Sequence, residues 1–167
     1  MRALALLLPI AALLGPFGAQ AQEPSGCDKF KWPIAHEQAA LSAPAIARLE
    51  SGALLSFDAA ASLRLAPLAQ AKLAMPPERS PKSSASFAGA VKLDAPGAAA
   101  TYKVSLSGAG WIDVIQDGRF VKPVAFSGAL DCPSLRKSVK FPLAAEPLTV
   151  QLSDVATPEI SLIVSPQ

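Results

Sequence analysis

Apolar and polar side chains alternate with a period of two from the region of Ala53 almost to the end of the chain. Leu63 and Leu65 alternate with Ser62 and Arg64, and Tyr102, Val104 and Leu106 with Lys103, Ser105 and Ser107. The pattern recurs at Val139, Phe141 and Leu143, at Leu148, Val150 and Leu152, and at Ile160, Leu162 and Val164. Successive side chains of an extended strand point to opposite faces, so each run predicts a strand with one face turned inward. Phe87, Val91 and Leu93 predict another, thinned by Gly89. Turn residues separate the runs at Ser51-Gly52, Asp94-Ala95-Pro96-Gly97, Gly108-Ala109-Gly110 and Asp117-Gly118. The last pair is a tight hairpin signal, because glycine accepts positive φ. Phe120 to Phe126 reads as the returning strand, with Pro123 marking an edge or a bulge. Strands of about five residues with no long helix between them predict an all-β fold, an antiparallel β-sandwich of jelly-roll-like form.

The N-terminal third reads differently. Pro33 opens a short helix in which Ile34, Gln38 and Leu41 recur at near-helical spacing, and Pro44 stops it. Ala45 to Glu50 is ambiguous. Pro67 marks a strand edge or end. Met75-Pro76-Pro77-Glu78-Arg79-Ser80-Pro81 suits neither a helix nor a central strand and predicts an exposed, partly polyproline connection.

Ahead of all this, Met1 to Ala21 has the anatomy of an export leader. Arg2 is followed by the apolar run Ala3 to Leu14, and Ala19-Gln20-Ala21 has the small-x-small form of a cleavage site. Cleavage near Ala21 leaves 146 of the 167 residues, one domain, in the periplasm or outside the cell. Cys27 and Cys132, the only cysteines, are then expected to form a disulfide, the alternative being two free thiols. Aromatics make up 6% of a chain rich in Ala, Pro, Leu and Ser, so the core is built of modest side chains and gains from a long-range covalent tie. The leader's apolar run is too short to cross a bilayer and no stretch of 18 or more apolar residues follows it, so no transmembrane segment is expected in the mature chain. The formal charge is +2, or +1 once Arg2 leaves with the leader, and the basic residues are scattered. That balance calls for no nucleic-acid partner. Lys137 and Lys140 fall on opposite faces of a strand, and the group with Arg136 reads as a solvated strand end.

Three places hold candidate chemistry. In Gly110 to Gly118, with Ile112 and Val114 inward, Trp111, Asp113 and Ile115 share the other face. There an indole stacks on a sugar-like ring while the carboxylate accepts hydroxyl hydrogen bonds. In the opposite register Trp111 and Ile115 are core, and Asp113 accepts backbone N–H groups. The candidate ligand surface is Trp111, Asp113, Gln116, Asp117 and Arg119. Phe30 and Trp32, beside Lys29 and Lys31, either form a cation–π or anion-binding patch or pin the N-terminal arm to the sandwich. His36 is the only histidine, too few for a two-histidine iron site, and no Gly-x-Ser-x-Gly elbow offers it a nucleophile. No catalytic residues, metal ligands or cofactor are expected.

With Cys27-Asp28-Lys29-Phe30-Lys31-Trp32-Pro33, Met75 to Arg79, Trp111 to Gly118 and Cys132 to Val139, the chain resembles a family of small exported proteobacterial proteins without an established function. Some of these carry the label homogentisate 1,2-dioxygenase, which implies an iron enzyme. This sequence lacks the histidines for one. Thr101 to Val164 is similar to the bacterial pre-peptidase C-terminal domain, and that resemblance implies a sandwich and no site residues. The expected function is non-catalytic binding of a carbohydrate-like ligand or an envelope component, in an unassigned oligomeric state. The alternatives are an enzyme and a structural or stress-related envelope protein.

Overall fold

The computed structural model describes residues 23–167. The expected leader and its cleavage near Ala21 lie outside the described residues. In chain order the strands are β1 (Ala47–Glu50), β2 (Ala60–Arg64), β3 (Ala66–Pro67), β4 (Phe87–Leu93), β5 (Ala100–Leu106), β6 (Trp111–Gln116), β7 (Arg119–Val121), β8 (Ala125–Gly128), β9 (Lys137–Leu143), β10 (Leu148–Val155) and β11 (Glu159–Pro166). One sheet has the order β1-β2-β11-β5-β9-β8 and the other β3-β4-β10-β6-β7. Every pairing between these strands is antiparallel except β1 with β2. The protein is an all-β sandwich, with one short α-helix among the described residues, α1 (Ala35–Leu41).

The alternating positions meet between the sheets. Val104, Val139, Phe141, Leu162 and Val164 of the first sheet pack in one core with Val91, Val114, Leu148, Val150 and Leu152 of the second. In the second sheet Val150 stands in register with Val91 on one side and Val114 on the other. Each such side chain removed from water contributes about 1.5–3 kcal/mol before the entropy of ordering it is subtracted. Gly89 leaves room for Leu65, since a Cβ there would lie 2.8 Å from Leu65 Cδ2.

Asp117 and Gly118, both at positive φ (47° and 66°), make the two-residue turn from β6 to β7. The strand expected over Phe120 to Phe126 is instead two strands. β7 ends at Val121, and after Pro123 the chain resumes as β8 in the other sheet. Pro123 has no N–H to continue the ladder, so the interruption becomes a crossing between sheets. Ala45 to Glu50 resolves into β1, and α1 begins two residues after Pro33.

The outer face of the first sheet is covered by the N-terminal arm. Ile34 and Leu41 pack with Leu135, Ile163 and the Cys27–Cys132 disulfide. Phe30 and Trp32 pack against the same cluster. The outer face of the second sheet carries a proline-rich strap, residues 71–82, along which half-buried and exposed positions alternate as far as Glu78. No helix among the described residues is long and apolar enough to cross a membrane.

Candidate functional site

β6 places its inward positions, Ile112 and Val114, in the inter-sheet core, and so turns Trp111, Asp113 and Ile115 to the other side. Trp111 is half-buried at the start of the strand. Asp113 is only 3% exposed, because the strap lies over it. Its Oδ1 accepts the indole N–H of Trp111 at 2.7 Å, and its Oδ2 accepts the backbone N–H of Glu78 at 3.2 Å. Burial pushes the Asp113 carboxyl up, against the pull of these two donors, and the Glu78 charge adds to the rise. Asp113 therefore ties an indole to a strap.

Two other side chains hold the strap by its backbone. Gln151, fully buried on β10, accepts from Met75 N at 3.3 Å and donates to Met75 O at 2.9 Å. Asp154 accepts the N–H of Lys82 at 3.0 Å. The strap thereby sets Arg79 with its guanidinium carbon 5.2 Å from the centroid of the Trp111 ring.

Gln116, Asp117 and Arg119 sit at the opposite end of β6, five residue steps or about 17 Å along the strand. Gln116 is buried and bonded to the connection between β9 and β10, donating to Ala144 O and Glu146 O and accepting from Ala144 N. Asp117 forms the exposed turn and Arg119 is exposed beside it. Trp111 and Asp113 come together, and the other three residues stand apart from them.

Beside Trp111 a cleft of about 680 Å3 opens where the edge pair β6–β7 of one sheet faces β8–β9 of the other. Ile112, Val114, Val121, Val139 and Phe141 wall it. Phe126 stands in register with Val139, on the inward side of β8, and yet is 67% exposed, because it lies at the opening. The charged lining is mixed, with the cations Lys31, Arg79, Lys82, Arg136 and Lys137 set among the acids Glu23, Glu78, Asp113 and Asp154. Lys137 Nζ lies 5.4 Å from the Trp111 ring centroid and donates to Gly110 O at 2.9 Å.

Lys137 is half-buried, not the solvated strand end expected for its group. Burial pushes its ammonium down, and the charges of Arg79 and Arg136 push the same way. Its spacing carried the signal: Lys137, Val139 and Phe141 share one parity, so a lysine in phase with two core residues must point inward. Lys140, of the other parity, lies over Trp32 at 4.4 Å on the outer face.

His36 is exposed on α1, its Nε2 2.7 Å from Asp58 Oδ1. Among the described residues no three His, Cys, Asp or Glu side chains group closely enough to hold a metal ion. One imidazole and one exposed carboxylate do not fit the iron that the dioxygenase label implies. No family model, curated protein or solved structure matches this chain.

Proposed function

We propose that the protein is a non-catalytic binding protein, exported by its leader and oxidised in the periplasm or outside the cell, which holds a small ligand in the cleft beside Trp111. The observation that carries this reading is the cleft itself. It is of ligand size, apolar inside and polar at its rim, which is the usual make-up of a small-molecule site. The Cys27–Cys132 disulfide supports an oxidising compartment. A ligand with an apolar body suits the site better than a sugar ring. Both oxygens of Asp113 already accept protein N–H groups, and two cations lie over the indole.

Titration with an uncharged apolar dye, N-phenyl-1-naphthylamine, tests the cleft. One saturable site is expected, weakened at least tenfold by Val121→Trp, which fills the cleft from an edge strand and leaves cooperative unfolding in place. Absence of dye binding, or equal binding by a folded Val121→Trp protein, overturns the reading.

A further inference from the structure

The proposed cleft leaves two cations without an ion-pair partner. Among the described residues Lys137 makes no ion pair, although it stands in the cleft with its ammonium beside an indole. Arg79, reaching the same indole from the strap, makes none either. The acids near the rim are already engaged. Glu78 pairs with Lys122 and Glu23 with Arg136, while Asp113 and Asp154 accept backbone N–H groups of the strap. Two cations thus converge where the apolar walls end, and a desolvated cation without a counter-charge favours an anion.

We infer that the cleft takes a single-chain carboxylate amphiphile, its alkyl chain between the sheets and its carboxylate on Lys137 and Arg79. This rests on the proposed ligand-binding cleft and names the class of ligand. Phe126 stands at the opening, on the inward side of the β8 edge, where the first methylenes of such a chain would pass. Lys31, with its Nζ 4.9 Å from the Phe126 ring centroid, adds a third cation to that side of the rim. The chain is recognised by area alone, so affinity grows with length, about fourfold for each methylene buried. The head is recognised by charge.

The test displaces the bound apolar dye with laurate, dodecanol and dodecyltrimethylammonium, each below its micelle concentration or solubility limit, using Trp111 emission in a Trp32→Phe background as a second readout. Laurate is expected to bind one to one and at least tenfold more tightly than dodecanol, and dodecyltrimethylammonium more weakly still. Lys137→Gln and Arg79→Gln should each bring laurate towards the affinity of dodecanol without changing that of dodecanol, and Lys137→Arg should restore the difference. Arg79 is exposed, so its substitution leaves the fold out of the question. Equal affinities for laurate and dodecanol overturn the head-group inference and leave the apolar cleft standing. Failure of all three to displace bound dye overturns it too, and absence of dye binding removes the cleft reading on which it rests.

Discussion

Lys103 Nζ lies 2.5 Å from Glu37 Oε1 beneath α1, with 12% of the lysine side chain and 1% of the glutamate side chain exposed. Ser165 donates to the same oxygen at 2.6 Å, while Glu37 Oε2 is buried without a partner. Burial pushes the carboxyl up, but the bonds from Lys103 and Ser165 outweigh it and hold the group below the ordinary glutamate range. A depressed carboxyl stabilises the fold above its unfolded value, about 4.3, and that contribution is lost as pH falls through the lower folded value. Glu37→Gln keeps an acceptor for Ser165 and removes the charge opposite Lys103. It should cost about 3 kcal/mol at neutral pH, as breaking a buried pair does. Its stability should be flatter than the parent's below about pH 4.3. Urea unfolding from pH 3 to 7 checks both, and parallel pH profiles would count against the pair.

The disulfide joins residues 105 positions apart, from the arm to the connection ahead of β9. Closing so long a loop restricts the unfolded chain by about 4–5 kcal/mol on the chain-entropy argument. Cys27→Ser with Cys132→Ser should lower the unfolding free energy by about 2–5 kcal/mol, with the sheets intact by circular dichroism. The arm keeps other ties: Gly26 N donates to Leu130 O at 2.8 Å, and the indole N–H of Trp32 donates to Ser138 Oγ at 3.3 Å. An unchanged denaturation midpoint would show that these ties already hold the arm.

The strands were legible because their core positions repeat every second residue, and Val139 to Leu143 and Leu148 to Leu152 lie in the core as their alternation requires. Asp117-Gly118 was legible because its turn needs positive φ twice. The site was less so. The parity of Ile112 and Val114 left two registers open, since Ile115 is as apolar as either. What buries Asp113 is a segment some 35 residues earlier whose own pattern reads only as a connection. No local signal links Met75 to Gln151 or Lys82 to Asp154, because a strap is specified by the side chains that receive it.

Gln151 is the central receiver of that strap, with both amide atoms bonded to Met75. Gln151→Ala removes both bonds and leaves the Met75 backbone groups covered and unpaired, at a cost of about 2–4 kcal/mol. The larger local effect is on the strap, whose opening should become easier than global unfolding. Limited trypsinolysis should then cut after Arg79 or Lys82 at least tenfold faster than in the parent, with the sheets still folded. Equal cleavage rates would mean that Asp113 and Asp154 suffice to hold the segment.

Asp113 reports on the cleft through Trp111, whose indole it holds at 2.7 Å. Its carboxyl is raised, first by burial and further by the Glu78 charge. For a raised acid the stabilising form is the protonated one. Its contribution is complete below the unfolded value, about 3.9, and is lost as pH rises through the higher folded value. Asp113→Asn should therefore remove a fall in stability across that window. The amide has one acceptor where two N–H donors point, so the variant loses either the indole bond or the Glu78 bond. In the Trp32→Phe background, Trp111 emission should titrate with a midpoint above about 3.9, and Asp113→Asn should abolish the step. A midpoint at or below the ordinary aspartate value would mean that the strap stands open in solution, leaving Asp113 wet and Arg79 away from the indole.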